Sequence, residues 1–224
     1  MPNTKVQSVK ATNKYWSYRL FIVLFSVIFF SWSFYQVVTE KLFFFDDWVR
    51  NSATSYTPDI IVQFFYYFTI LGSKEGVIPI LLLSAIFIIW KKKDYIAASV
   101  LIIGVILVNE LNKWLKDFTG RERPMVGPGA ESLSFPSGHA MVGLFFYGLL
   151  AYFLIIYMKD NWNKSFVLIG AGLFIFLLGL SRIFLDYHYA SDILAGYAAG
   201  YLCLVLFISL YEWLLARKNK NATP

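Results

Sequence analysis

The chain has 224 residues, 58% of them hydrophobic, 20% aromatic and only 15% charged. A soluble domain carries about 25% charged residues, so this composition points away from a water-soluble core and towards a protein with a large apolar surface in lipid. The formal net charge of +6 is explained by basic flanks lying against anionic lipid, and no nucleic-acid partner is implied.

A helix needs about 20 apolar residues to cross a bilayer, and six stretches are read as spans: 18–38, 76–90, 95–115, 140–158, 165–184 and 193–215. The second is short, so its helix is expected to start earlier, near Ser73. The predicted fold is all-α, a bundle of six transmembrane helices. Residues 1–17 form a basic cytoplasmic N-terminus, 18–215 the six-span domain and 216–224 a basic cytoplasmic tail. The first apolar run ends in "SFYQVVTEK" with no small-x-small cleavage pattern, which favours an uncleaved span over a signal peptide.

Between the first two spans, "KLFFFDDWVR" and "PDIIVQFFYYFTI" are aromatic-rich and bounded by charge. Both are expected to be interfacial helices, with Pro58 suited to a first helical turn; a loop packed on the bundle is the alternative. Six crossings put both termini on one side. With the termini inside the cell membrane, twelve of the 20 Lys and Arg residues fall on the cytoplasmic face. Lys116, Arg121, Arg123 and Arg182 lie against that bias on the outer face, so something other than topology must require them. Cys203 is alone and within a span, which excludes a disulfide framework and a cysteine-based metal site.

Continuing along the chain, Lys116, Arg121 and Arg123 crowd the outer end of the third span, where Pro124 stops any helix. Such charge is costly there unless it meets anions, and arginine forks with a lysine point charge suit a phosphoryl group. Contact with lipid headgroups is the rival account, and Arg121 is read as that kind of contact. Next, "FPSGHA" sets Ser137 to cap the fourth span, Gly138 to admit close approach, and His139 beside any anion docked at the helix start. A plain helix cap with an incidental histidine remains open. Deeper in the third span, Asn109, Glu110 and Asn112 form a polar group read as packing or site-supporting.

Finally, "SRIFLDYHYASDIL" places His188 four residues before Asp192. If the last helix begins near His188, the two share a face, and the carboxylate can hold one ring nitrogen while the other acts as nucleophile. Asp186 is a less favoured orienter. Arg182, six residues before His188, can fork onto two phosphate oxygens. An ordinary capping pair with a snorkelling arginine is the bland alternative.

Together the three segments, Lys116…Arg123-Pro124, Pro136-Ser137-Gly138-His139 and Ser181-Arg182…His188…Asp192, resemble the signature of the type-2 phosphatidic acid phosphatase superfamily. Every signature position and spacing is met, in the family's order. The six spans fit the family's membrane branch. The resemblance implies that His188 forms a phosphohistidine, Asp192 orients it, and His139 protonates the departing alkoxide. It further implies that Lys116, Arg123, Ser137, Gly138 and Arg182 hold the phosphate, with no metal and no other cofactor. The partners it implies are a lipid phosphate substrate and membrane lipids, with phosphatidylglycerol phosphate expected as substrate and undecaprenyl diphosphate as the alternative. An anion transporter is the reading from another class; it would set such charges near mid-bilayer. Oligomeric state is not legible in these residues.

Overall fold

A segment in lipid must satisfy its backbone hydrogen bonds internally, and the helix is the local solution. The computed structural model describes residues 4–41, 43–55, 57–125, 132–159 and 161–221, and the described elements are helical. In chain order they are α1 (Thr4–Val38), α2 (Asp46–Ser55), α3 (Asp59–Phe68), α4 (Lys74–Phe87), α5 (Tyr95–Thr119), α6 (Gly138–Tyr157), α7 (Asn161–Phe184) and α8 (Ala190–Asn221). Among the described residues, five helices are long and apolar enough to cross a membrane: α1, α5, α6, α7 and α8.

The candidate for a sixth crossing is a bent pair. Asp59–Gly72 and Lys74–Lys92 pass the same test only as a pair, bent by 48°. The helix of the short second stretch does start earlier than residue 76, with Ser73 as the N-cap of α4. The segment expected as a separate interfacial helix, α3, is the forward limb of this pair, joined through a 3-10 turn at Thr69–Gly72. The Tyr147 hydroxyl of α6 donates to Leu71 O at 2.6 Å, which anchors the break to the bundle.

The bundle is organised around α6, which packs on α5, α7 and most extensively α8. Its inner side chains Met141, Phe145, Phe146, Leu149 and Phe153 are fully buried. The α6–α8 approach is close because Gly196 and Gly200 lie one helical turn apart on α8. A Cβ at Gly196 would stand 2.8 Å from Ser137 O, and one at Gly200 2.5 Å from Met141 O. Small residues four apart are the usual means by which membrane helices bring backbones together. Here the contact fixes the start of α6 against the start of α8. Gly120, in the left-handed region at φ 65°, ends α5 and turns the chain back over the same end of the bundle.

Candidate active site

Four chain segments meet at that end: the C-terminus of α5, the N-terminus of α6, the C-terminus of α7 and the turn into α8. They surround a cavity of about 710 Å³ lined by Lys116, Arg123, Gly138, His139, Arg182 and His188. The two histidines, 49 positions apart in the chain, open on one space. Ser137 and Asp192 are fully buried. Their backbones are joined by Ser137 N–H donating to Asp192 O at 3.0 Å. From Lys116 the α5 lining reaches back to Val105, about 16 Å at 1.5 Å per residue. Val105 and Ile106, with Val77, Ile78 and Leu81 of α4, give the cavity an apolar end, and Asn109 and Glu110 lie on α5 between these residues and Lys116.

His188 is not on α8, which begins at Ala190. It lies in the preceding turn, where its own N–H and that of Tyr187 donate to Arg182 O. The shared helical face expected for His188 and Asp192 is therefore absent, and a different contact makes the link. Ser134 Oγ stands 3.2 Å from His188 Nδ1 and donates to Asp192 Oδ2. Asp192 Oδ2 itself is 3.5 Å from that ring nitrogen. Because the Ser134 hydroxyl has one hydrogen and gives it to the carboxylate, it accepts from the ring. Nδ1 thus carries the hydrogen, and Nε2 keeps its lone pair. Burial, and then the cations of Arg182, Arg123 and Lys116, lower the His188 pKa well below its ordinary value. The ring is accordingly a neutral base near pH 7.

The cations are held by backbone and hydroxyl oxygens, with part of their capacity left over. Lys116 Nζ donates to Leu133 O at 2.7 Å. Arg123 donates to Ser132 O and Ser132 Oγ, each at 2.7 Å. Arg182 Nη1 donates to Thr69 Oγ1 at 2.8 Å, and its guanidinium lies 4.4 Å from the Tyr187 ring centroid. Two buried polar atoms here have no protein partner among the described residues: Arg182 Nε and Ser137 Oγ. The expected side-chain cap by Ser137 is not made, although Ser137 does occupy the N-cap position of α6. A buried donor without a partner costs about 1–3 kcal/mol, and of these two residues Arg182 lines the cavity while Ser137 does not. His139 Nε2 is 3.0 Å from Thr69 O; since that oxygen only accepts, Nε2 carries the hydrogen there. Gly72 admits the His139 ring, for a Cβ would come within 2.5 Å of its Cδ2.

Several residues take parts that their sequence positions do not announce. Arg121 is no headgroup contact: Nη1 donates to Asp192 Oδ1 at 2.6 Å and Nη2 to Asp46 Oδ2 at 2.8 Å. Asp186 faces away from the histidine and forks with Arg50 of α2 at 2.7 and 2.8 Å. Asn112 supports the site, donating to Pro136 O at 3.1 Å and standing 3.1 Å from where a Cβ of Gly138 would be. Asn109 and Glu110 line the cavity, and Glu110 pairs with Lys113 at 2.6 Å. Ser134 and Thr69 carry no motif; only the aromatic frame "LSFPSGH" hints that a polar residue before Pro136 is buried. Among the described residues, no group of three or more His, Cys, Asp or Glu side chains is placed to hold a metal ion.

The pattern of charged segments on this helical frame matches the PAP2 superfamily over residues 95–216, more than half of the chain. This chain belongs to the PAP2 superfamily. Phosphatidylglycerophosphatase B of Bacillus subtilis (strain 168) is 39% identical to this PAP2 protein over 99 residues, covering 43% of this chain and 49% of that one. Sphingosine-1-phosphate phosphatase 1 of Mus musculus is 29% identical over 173 residues, covering 73% of this chain and 40% of that protein. The matches thus span about half or less of these curated relatives. Among solved structures, a transmembrane PAP2-type phosphatidylglycerolphosphate phosphatase from Bacillus subtilis superposes with a TM-score of 0.74 at 26% identity, covering 87% of this chain and 96% of that chain. Aquifex aeolicus LpxE superposes at 0.57 and 23% identity over 75% of this chain and 96% of its own, a likeness of fold.

Proposed function

We propose that this PAP2 protein is an integral membrane lipid phosphatase that hydrolyses phosphatidylglycerol phosphate to phosphatidylglycerol and inorganic phosphate. The observation that carries the reading is the cavity itself. A three-cation pocket, with the orphaned Nε belonging to Arg182 on its wall, continues between α4 and α5 to apolar side chains of both helices, which suits a phosphate ester of a lipid. Three of the similar proteins have names that print a phosphorylated lipid as substrate: phosphatidylglycerophosphatase B, sphingosine-1-phosphate phosphatase 1 and the phosphatidylglycerolphosphate phosphatase.

In this reading Lys116, Arg123 and Arg182, with Ser137 and the first N–H groups of α6 at Gly138, hold the non-bridging oxygens. Nε2 of His188 attacks phosphorus, the bond to the lipid oxygen breaks, and His139, which enters as imidazolium with Nε2–H kept on Thr69 O, gives that oxygen the proton of Nδ1. Water then attacks the phosphohistidine and passes a proton back to His139. Phosphate leaves and His188 is restored. The positive wall stabilises the charge spread over the phosphoryl oxygens in both steps. The site faces the outer leaflet, both termini are cytoplasmic, and the protein resides in the cell membrane.

A polyprenyl diphosphate such as undecaprenyl diphosphate is the second reading, because Lys74 on the cavity wall adds a cation that a second phosphate would use. Transport of an anion is disfavoured by the position of the cations at helix ends rather than mid-span. The test compares phosphate release by purified protein from phosphatidylglycerol phosphate, phosphatidic acid and undecaprenyl diphosphate in one detergent. The first should have the highest kcat/KM, and His188→Ala should release none. Turnover retained by His188→Ala removes the nucleophile, and a preference for the diphosphate transfers the assignment to carrier recycling.

A further inference from the structure

Behind Asp192 lies a second layer of charge that the phosphate does not reach. Asp46, the first residue of α2, is 4% exposed and Asp192 is fully buried. Arg121 bridges them, one guanidinium nitrogen on each carboxylate. Asp46 is further held by Ser191, whose N–H donates to Oδ1 at 2.9 Å and whose hydroxyl donates to Oδ2 at 2.6 Å. Arg121 also reaches the Ser191 hydroxyl at 2.8 Å and lies 4.4 Å from the Tyr189 ring centroid. One helical turn along α2, Arg50 takes Asp186 and the carbonyl of Pro124. Thus α2 grips the segment around Arg123 and the turn around His188 from the same side.

Buried ion pairs are poor stabilisers, because desolvation cancels most of their attraction. Retaining two buried carboxylates on one guanidinium therefore calls for a purpose beyond folding. The geometry suggests one. With Oδ1 of Asp192 tied to Arg121, the carboxylate cannot rotate, and Oδ2 stays on Ser134 and the His188 ring. Tying that charge from behind also keeps it from drawing Lys116, Arg123 and Arg182 away from an incoming phosphate.

We infer that Asp46 and Arg121 are positioning residues for the phosphoryl-transfer reaction, acting on His188 through Asp192. This rests on the reading of His188 as the nucleophile. The chain of contact runs Asp46, Arg121, Asp192, Ser134, His188, and no member before Asp192 lines the cavity.

The test is a double-mutant cycle on phosphate release by the purified full-length protein, with Asp46→Asn and Asp192→Asn made singly and together. A residue acting through Asp192 should lower kcat about tenfold alone, with KM within about twofold, and change kcat less than about twofold once Asp192 is Asn. Asp46→Glu should recover part of the loss. Equal fold-losses in both backgrounds, or a change confined to KM, overturn the inference and leave α2 a structural clamp. Should Asp46→Asn yield no folded protein, Ser191→Ala, which removes one of the Asp46 contacts, carries the same cycle with the same two outcomes. His188→Ala is run in parallel. If it retains turnover, the nucleophile reading fails, whereas additive losses with an inactive His188→Ala defeat the positioning role alone.

Discussion

Ser134 Oγ lies 3.2 Å from His188 Nδ1 and gives its hydrogen to Asp192, so a hydroxyl sits between the histidine and the carboxylate expected to orient it. Removing it leaves the 3.5 Å contact with Asp192 as the only hold on that nitrogen. Ser134→Ala should lower kcat roughly five- to tenfold, the worth of about 1 kcal/mol in ring positioning, with little change in KM. Steady-state kinetics on a short-chain lipid phosphate checks this. An unaltered kcat would show that Asp192 alone suffices.

The pH dependence follows from the lowered His188 pKa. Protonation blocks Nε2, and burial with the Arg182, Arg123 and Lys116 cations holds the proton off until the pH is well under the ordinary histidine value. The acidic limb of kcat/KM in the free enzyme should therefore fall below pH 6.5, about the unperturbed value. Arg182→Gln removes the largest of the three charge contributions, so its limb should move up towards that value even as KM rises. The same sign applies to stability. The unfolded chain binds the proton first, so the His188 contribution is present above the ordinary value and is lost as pH falls towards the lowered one.

Chelation tests the charge economy of the site. In the proposed reaction, cations and helix N–H groups take the role that a divalent ion fills in many phosphoryl-transfer sites. EDTA should leave the rate of phosphate release unchanged, and vanadate, which can adopt five-coordinate geometry, should compete with substrate. Strong inhibition by EDTA would place a metal in the reaction.

The α6–α8 contact predicts a sharp positional contrast among glycines. Gly196→Ala puts a Cβ about 2.8 Å from Ser137 O, an overpacking that costs about 1–3 kcal/mol and shifts Ser137 relative to Asp192. A misplacement near 1 Å is worth about a hundredfold in rate, so activity should fall well beyond the loss of stability. Gly170→Ala, where a Cβ meets nothing within 4 Å, should be neutral in both thermal unfolding and turnover.

The sequence alone was enough to mark six hydrophobic stretches and to single out eight candidate site residues, because apolar run length and local spacing are properties of neighbours in the chain. Lys116, Arg123, Gly138, His139, Arg182 and His188 do line one cavity. What it misjudged depends on partners far away. Arg121 read as a surface charge because nothing nearby reveals Asp46, 75 positions back. Ser134 drew no reading at all because its partners lie 54 and 58 positions on. Likewise the bend after α3 depends on Tyr147 and His139 holding Thr69–Gly72 from another helix. Burial decided these cases: once lipid and neighbouring helices exclude water, every polar group must find its partner within the protein, and only the packed tertiary structure determines which one is in reach.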